Sequence, residues 1–213
     1  MLRLLLRPVW IITIVALLLV APIWLNNFIT FFTTEPQQSD HIAPLFTPQV
    51  QYWGDDIGRW AETYNLDPNL LATVMQIESC GHPTVSSPAG AQGLFQVMPF
   101  HFSLGEDMLD PDTNVRRGAD YLNLCLSRYN NSAGMALACY NGGATGVSRP
   151  FNQWASETQR YYNWGTGIYA DAITDASTSQ TLNDWLLAGG FNLCNRASNA
   201  LRFYRQNELT LLD

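Results

Sequence analysis

An uncharged and strongly apolar segment, PVWIITIVALLLVAPIWLNNFITFF, occupies positions 8–32 near the start of this chain. As an α-helix, this segment is long enough to cross the hydrocarbon core of a bilayer. A cleaved signal peptide has a shorter apolar region that ends at a small-x-small site, and neither feature is clear here. We therefore expect residues 1–33 to form an uncleaved transmembrane anchor, with a signal sequence as the alternative.

The charges around this segment indicate where the rest of the chain lies. Arg3 and Arg7 precede the segment, and the positive-inside tendency places them in the cytoplasm. We expect a single-pass membrane protein whose remaining part is extracytoplasmic, on the periplasmic or cell-wall side. All 18 acidic residues lie in that part, whereas two of the 11 basic residues do not. Such an acidic surface argues against nucleic acid as a partner.

Four cysteines lie on the exported side, at positions 80, 125, 139 and 194. An oxidising compartment favours disulfides, and four cysteines permit three pairings. Cys125 and Cys139 are equidistant from a predicted turn, NNSAG, so they could face each other across two antiparallel helices. This arrangement favours Cys125–Cys139 with Cys80–Cys194. A metal site is the alternative, although no C-x-x-C pair or histidine cluster supports it.

The pattern of apolar residues predicts an all-α protein. Residues 34–45 are polar and rich in proline, which indicates a linker. Beyond it, apolar residues recur at steps of three and four, and the alternation of a strand is nearly absent. We expect a helical domain over 46–170 and two further helices within 171–213. In DPNLLATVMQIES, Asp67 is the expected N-cap and Pro68 the first helical residue.

Two further segments have helical patterns with predicted ends. In DPDTNVRRGADYLNLCLSRYN, the position of Asn114 suggests that it caps the helix, which gives it no catalytic part. In SAGMALACYNGGATGV, Gly142 and Gly143 are expected to end a shorter helix.

Glu78 is the residue that the helical pattern does not explain. It shares a helix face with Leu71 and Met75, which are expected in the core. A lone glutamate at such a place usually pairs with an arginine or reaches solvent at the end of its helix. The alternative is that burial raises its pKa and keeps it protonated near neutrality. A protonated carboxyl can donate to a leaving oxygen, as the general acid of glycoside cleavage does.

Several blocks follow Glu78 in order: SSPAGAQGLFQVMPFHF, DTNVRRGADYL, ALACYNGGATGV and ETQRYY. Together with IES they resemble the soluble lytic transglycosylase (SLT) family, relatives of goose-type lysozyme, over roughly residues 55–165. The resemblance implies a lysozyme-like catalytic domain at 46–170. It also implies cleavage of the β-1,4 bond between N-acetylmuramic acid and N-acetylglucosamine in peptidoglycan, without a cofactor or metal ion.

The resemblance also implies the site residues. The glutamate of the ES pair is the sole catalytic acid in that family, and it corresponds to Glu78. The positions implied to bind the glycan strand are Ser87, Phe95, Gln96, Tyr140, Asn141 and Tyr161. GLFQ replaces the commoner GLMQ here, so Phe95 stands where a methionine usually packs against sugar, and an aromatic ring can still stack there.

The mechanism implied by the resemblance uses one carboxyl. Glu78 protonates the glycosidic oxygen and then takes the proton of the muramic acid 6-hydroxyl, which closes a 1,6-anhydro ring. A lysozyme-type hydrolase is one alternative, in which an aspartate activates water; the candidates are Asp107, Asp110, Asp112 and Asp120. A catalytically inactive wall-binding scaffold is the other. Nothing in residues 171–213 identifies a protein partner.

Overall fold

The computed structural model describes residues 39–210, with side chains as far as Tyr204. The expected transmembrane anchor at 1–33 lies outside the described residues. Among the helices within 39–210, none combines the length and apolar character needed to cross a membrane. The same range contains isolated β-bridges but no strand, so the predicted all-α class is confirmed.

Helices account for most of the described chain. They are α1 (Pro48–Gln51), α2 (Gly54–Tyr64), α3 (Pro68–Glu78), α4 (Pro111–Arg128), α5 (Ala133–Gly146), α6 (Ser156–Ala172), α7 (Gln180–Trp185) and α8 (Phe191–Thr210). Short 3-10 turns occupy Pro99–His101 and Phe151–Gln153, and a π-turn at Leu186–Gly190 connects α7 to α8. The two helices expected after the catalytic domain are therefore α7 and α8.

The central element of the fold is α3. Every residue from 70 to 76 is buried, so the helix is covered on all sides. It packs between α2 and α6, while α5 lies against both α4 and α6. The C-terminal end of α3, where Glu78 lies, is therefore surrounded by other parts of the protein.

Helix starts follow the Asp-Pro pairs of the sequence. Asp67 accepts a hydrogen bond from the Leu70 amide at 3.0 Å, which confirms the predicted start of α3. Asp110 caps α4 in the same way, through the Thr113 amide at 2.8 Å. The prediction that Asn114 caps this helix is wrong, because Asp110 and the proline after it fix the start one turn earlier.

The helix α5 extends beyond its predicted end. The sequence predicts that it ends at Gly142 and Gly143, whereas it continues to Gly146 across a break. The break lies at Gly143, whose φ of 73° and ψ of 151° are accessible to glycine and not to other residues. The glycine pair therefore kinks the helix instead of ending it.

The described part of the predicted linker belongs to the domain. Three apolar residues of this segment, and Phe46 directly after it, are less than a tenth exposed; the three are Ile42, Ala43 and Leu45. Hydrogen bonds also fix it, from Ser39 Oγ to Asp55 at 3.1 Å and from the Ala43 amide to Asn69 at 2.8 Å. The domain thus begins by residue 39 and not at 46, because apolar residues among the prolines find places in the core.

Both disulfides have the pairing that the sequence favoured. Cys80–Cys194 joins the turn after α3 to α8, over a sequence separation of 114 residues. Cys125–Cys139 joins α4 to α5 over a separation of 14 residues. The first disulfide therefore fastens the C-terminal helices to the chain just beyond Glu78.

The two disulfides should differ in their contribution to stability. A longer closed loop loses more entropy from the unfolded chain, so Cys80→Ser with Cys194→Ser should lower the free energy of unfolding by about 1–2 kcal/mol more than Cys125→Ser with Cys139→Ser. Denaturant unfolding of the two double variants measures this difference. An equal or smaller loss for the Cys80–Cys194 pair would contradict the prediction.

Candidate active site

Glu78 is the last residue of α3, and its side chain is only partly open to solvent. Burial among the surrounding elements raises the pKa of this carboxyl from 4.5 to about 8. Tyr161 lowers the pKa by a smaller amount, and the negative charge of Glu157 raises it. The carboxyl is therefore largely enclosed but partly open to solvent, in a place that we call the recess, and it is protonated at neutral pH.

The chain immediately after Glu78 is fixed at three successive residues. Ser79 Oγ donates to the Leu94 carbonyl at 2.6 Å and accepts from the Gly81 amide at 3.1 Å. Cys80 has a φ of 52° and is held by its disulfide to Cys194. Gly81 has a φ of 76°, and a Cβ there would lie 2.6 Å from a backbone oxygen of α1. These constraints fix the position of the carboxyl.

Two tyrosines from neighbouring helices interact with Glu78. The Tyr161 hydroxyl, on α6, is buried. Among the described residues, it is the one buried side-chain nitrogen or oxygen that makes no well-formed hydrogen bond. Burial and then the charge of Glu78 raise the pKa of Tyr161 well above its usual value. The same causes raise the pKa of Tyr140, on α5. The Tyr161 hydroxyl therefore lies beside the Glu78 carboxyl, whose pKa it lowers, and has no other partner among the described residues.

The loop between α3 and α4 carries Ser87 and Gln96. Ser87 Oγ accepts from the Ala91 amide at 3.0 Å and closes a turn. Gln96 has a φ of 45°, and its Nε2 donates to two carbonyls of the same loop at 3.0 Å each. In this conformation neither side chain is hydrogen-bonded to Glu78. Their visible role is to shape the loop beside the recess.

The burial of Phe95 corrects the expectation that its ring stacks on a sugar. The side chain is fully buried, so its ring presents no face to a ligand. Its backbone is held from both sides, since its amide donates to Asn114 Oδ1 at 2.9 Å and its carbonyl accepts from the Tyr140 hydroxyl at 2.8 Å. Phe95 therefore positions Tyr140 through its carbonyl and fills the core with its ring.

Asn114 is a residue whose role the sequence analysis missed. Besides the bond from Phe95, its Nδ2 donates to the carbonyls of Gln92 at 2.8 Å and Met108 at 2.9 Å. A Cβ at Gly93 would lie 2.5 Å from this amide, so the loop approaches α4 as closely as glycine allows. The buried amide thus fixes the loop to the helix. A signal was available, because the Asp-Pro pair before it leaves Asn114 inside the helix and without a capping role.

Asn141 lies on α5 just before its kink. Its Oδ1 accepts from Thr158 Oγ1 of α6 at 2.9 Å, which leaves its Nδ2 free to donate. The side chain is partly exposed. The charge of Glu78 thus acts on both Tyr140 and Tyr161. Asn141 is hydrogen-bonded to the helix that carries Tyr161.

Four aspartates were alternatives for a second, water-activating carboxylate: Asp107, Asp110, Asp112 and Asp120. Asp110 is occupied as the cap of α4, and Asp112 accepts from Trp60 Nε1 at 2.6 Å. None of the four perturbs the pKa of Glu78, whereas Glu157, an exposed residue in the first turn of α6, does. Glu157 therefore replaces them as the candidate second carboxylate.

Replacing Asn114 should destabilise the protein strongly. Asn114→Ala would leave the buried Phe95 amide without its partner and remove one donor each from the Gln92 and Met108 carbonyls, at a cost of about 3 kcal/mol in the free energy of unfolding. Asn123→Ala, on the same helix, removes one partly exposed bond to the Tyr64 carbonyl and should cost less than about 1 kcal/mol. Denaturant unfolding compares the two variants. Equal losses would show that Asn114 does not hold the loop.

The raised pKa of Glu78 should make stability depend on pH. Between pH 4.5 and about 8 the folded protein keeps a proton that the unfolded chain releases, so stability falls as pH rises through this window. Glu78→Gln abolishes this loss, and its stability relative to wild type should increase across the window by on the order of 2 kcal/mol. Thermal or denaturant unfolding at several pH values tests this. A difference that does not change with pH would contradict the raised pKa.

The sequence of this chain is similar to those of known proteins. The family model for the transglycosylase SLT domain matches residues 55–163. The transglycosylase of Enterobacteria phage PRD1 is 40% identical over 111 residues, which cover 51% of this chain and 40% of the phage protein. The soluble lytic murein transglycosylase of Salmonella typhimurium (strain LT2) is 30% identical over 116 residues, covering 49% of this chain and 18% of the relative.

A solved structure also shares the fold. The 70-kDa soluble lytic transglycosylase in complex with bulgecin A superposes with a TM-score of 0.51 at 23% identity, over 58% of this chain and 25% of that one. The chain matches less than half of the length of each of these proteins. The family model, however, covers half of the chain and spans Glu78 together with every predicted binding position. The chain therefore belongs to the transglycosylase SLT domain family.

Proposed function

We propose that this protein is a peptidoglycan lytic transglycosylase that cleaves the β-1,4 bond between N-acetylmuramic acid and N-acetylglucosamine with Glu78 as its single acid and base. The observation that carries the proposal is the state of this carboxyl. It lies in a recess between Tyr140 and Tyr161 with a pKa of about 8, so it holds a proton at neutral pH. Membership of the SLT family supplies the substrate class.

In the first step, the Glu78 carboxyl donates its proton to the glycosidic oxygen. The bond between that oxygen and the anomeric carbon of muramic acid breaks, and its electron pair leaves with the oxygen as an oxocarbenium-like transition state forms. Glu78 becomes a carboxylate in surroundings that disfavour charge. The Tyr161 hydroxyl, which has no other partner, can then donate to the carboxylate and stabilise it.

In the second step, the muramic acid 6-hydroxyl closes on the anomeric carbon. The Glu78 carboxylate takes the hydroxyl proton while the oxygen forms the new bond, which yields a 1,6-anhydro ring. The acid is regenerated, and no water is consumed. The high pKa serves both halves of this sequence, because a carboxylate that resists ionisation is also a good base once it has lost its proton.

A lysozyme-type hydrolase is the second candidate, and Glu157 is the observation that favours it. Its charge reaches Glu78, so a water molecule activated by Glu157 could attack the anomeric carbon. Glu157 is exposed, whereas Glu78 is largely enclosed by the protein. We therefore place it second.

We also propose that the catalytic domain acts outside the cytoplasm while attached to the membrane. The support is the apolar segment at positions 8–32 and the oxidation of all four cysteines to disulfides. Disulfides form and persist in oxidising compartments, which is also where peptidoglycan lies.

The sugars released from purified peptidoglycan should end in 1,6-anhydromuramic acid. Mass spectrometry identifies these ends, because a hydrolysed end is heavier by one water. Glu78→Gln keeps the shape of the side chain but cannot donate the proton, so it should lower the rate by about 10²–10⁴-fold.

Variants of the other carboxylates separate the candidates. Asp107→Asn, Asp120→Asn and Glu157→Gln should all retain activity within a few-fold of wild type. Reducing ends in the products, together with inactivity of Glu157→Gln, would establish the hydrolase instead. Absence of any product from wild type would favour a wall-binding scaffold.

A further inference from the structure

A continuous line of aromatic rings leads from the catalytic recess to the protein surface. We call Phe100, His101, Tyr121 and Tyr140 the aromatic row. Ring centroids are 5.7 Å apart between Tyr140 and Tyr121, 4.8 Å between Tyr121 and His101, and 4.5 Å between His101 and Phe100. The inner three rings are partly exposed, and Phe100 is 74% exposed. Each residue of the row therefore has some surface that a ligand could reach.

Three separate segments of the fold supply these rings. Tyr140 lies on α5 and Tyr121 on α4, whereas His101 and Phe100 form the 3-10 turn that follows the loop of Gln96. The Tyr121 hydroxyl donates to the Cys139 carbonyl at 3.4 Å, next to Tyr140. The alignment is thus a product of tertiary packing. A single exposed phenylalanine needs no explanation, but one that continues a line of rings from the reactive carboxyl does.

The two arginines beside the row are already paired. Arg117 and Arg116 contact Glu106 at 2.6 and 2.8 Å. Burial and the positive charge of Arg117 lower the pKa of His101, so its ring is neutral at neutral pH. The row therefore offers flat apolar faces without an unpaired cation. Such a surface suits an uncharged ligand with apolar faces, as sugar rings have, better than the carboxylates of a peptide.

We propose that the aromatic row is an extended saccharide-binding site, which holds the glycan strand beyond the bond that is cut and gives the enzyme a preference for long strands. This inference rests on the proposed function, because it takes the strand to enter the recess at Glu78. Phe100, at the outer end, contacts only strands that are long enough to reach it. Its removal should affect long ligands and leave short ones unchanged.

Binding to the Glu78→Gln protein tests the proposal without turnover. Isothermal titration uses a short and a long β-1,4-linked oligomer of N-acetylglucosamine as probes. Adding Phe100→Ala should weaken binding of the long oligomer by about fivefold, the equivalent of one aromatic contact, and leave the short oligomer unaffected. Phe203→Ala is the matched control, since Phe203 is 69% exposed on α8 and lies outside the row. It should change neither affinity.

Aromatic character should matter more than bulk at this position. Phe100→Tyr should keep the affinity for the long oligomer, whereas Phe100→Leu should lose it as the alanine variant does. In the active enzyme, Phe100→Ala should raise KM for peptidoglycan with little change in kcat, because the contact is equally present before and during bond cleavage.

Two results would overturn the proposal: equal binding of the long oligomer by the parent and the Phe100→Ala protein, or no oligomer binding by the parent. Length-dependent binding through Phe100, with no product from the wild-type enzyme on peptidoglycan, would keep the row and reject the proposed catalytic function. The saccharide-binding proposal and the proposed catalytic function can therefore be rejected independently of each other.

Discussion

The structure depends on how the chain leaves α3. This helix is buried on all sides, so it ends inside the protein, where its last carbonyl groups and Glu78 cannot all be hydrated. The hydroxyl of Ser79, the disulfide of Cys80 and the positive φ of Gly81 together fix the turn that follows. The hydroxyl binds the loop before α4 and the disulfide reaches α8, while Gly81 lets the turn approach α1 closely. These three features hold the carboxyl in the recess. Without them, the end of the helix could move and bring the carboxyl into water.

Burial at this point has both a cost and a use. Ionised Glu78 is poorly solvated, which destabilises the fold at high pH, but the same lack of water keeps the acid protonated at neutral pH. The surrounding residues set up this environment in different ways. Tyr161 leaves a hydroxyl beside the carboxyl, while Asn114 and Phe95 hold the neighbouring loop and Tyr140 in place. This environment is the basis for our proposal that a single glutamate acts as both acid and base.

Structural features that depend on neighbouring residues in the sequence could be predicted. Features that depend on the packing of distant segments could not. The all-α class, the start of α3 at Asp67 and the disulfide pairing each follow from spacing or from adjacent residues. The role of Asn114 does not, because its partners lie up to 22 positions away and meet it only in the folded chain. The burial of Phe95 likewise requires α4 and α5 to be in place. Residues 39–45 resembled a linker because their prolines and polar residues obscured an apolar set that packs on the core.

The central claim is that Glu78 remains protonated at neutral pH because the fold removes it from water. A carbon NMR titration of the Glu78 side-chain carboxyl, assigned by comparison with Glu78→Gln, measures this directly. The account predicts a titration midpoint near pH 8. A midpoint near the ordinary value of 4.5 would mean that the carboxyl is ionised at neutral pH and cannot be the acid described here.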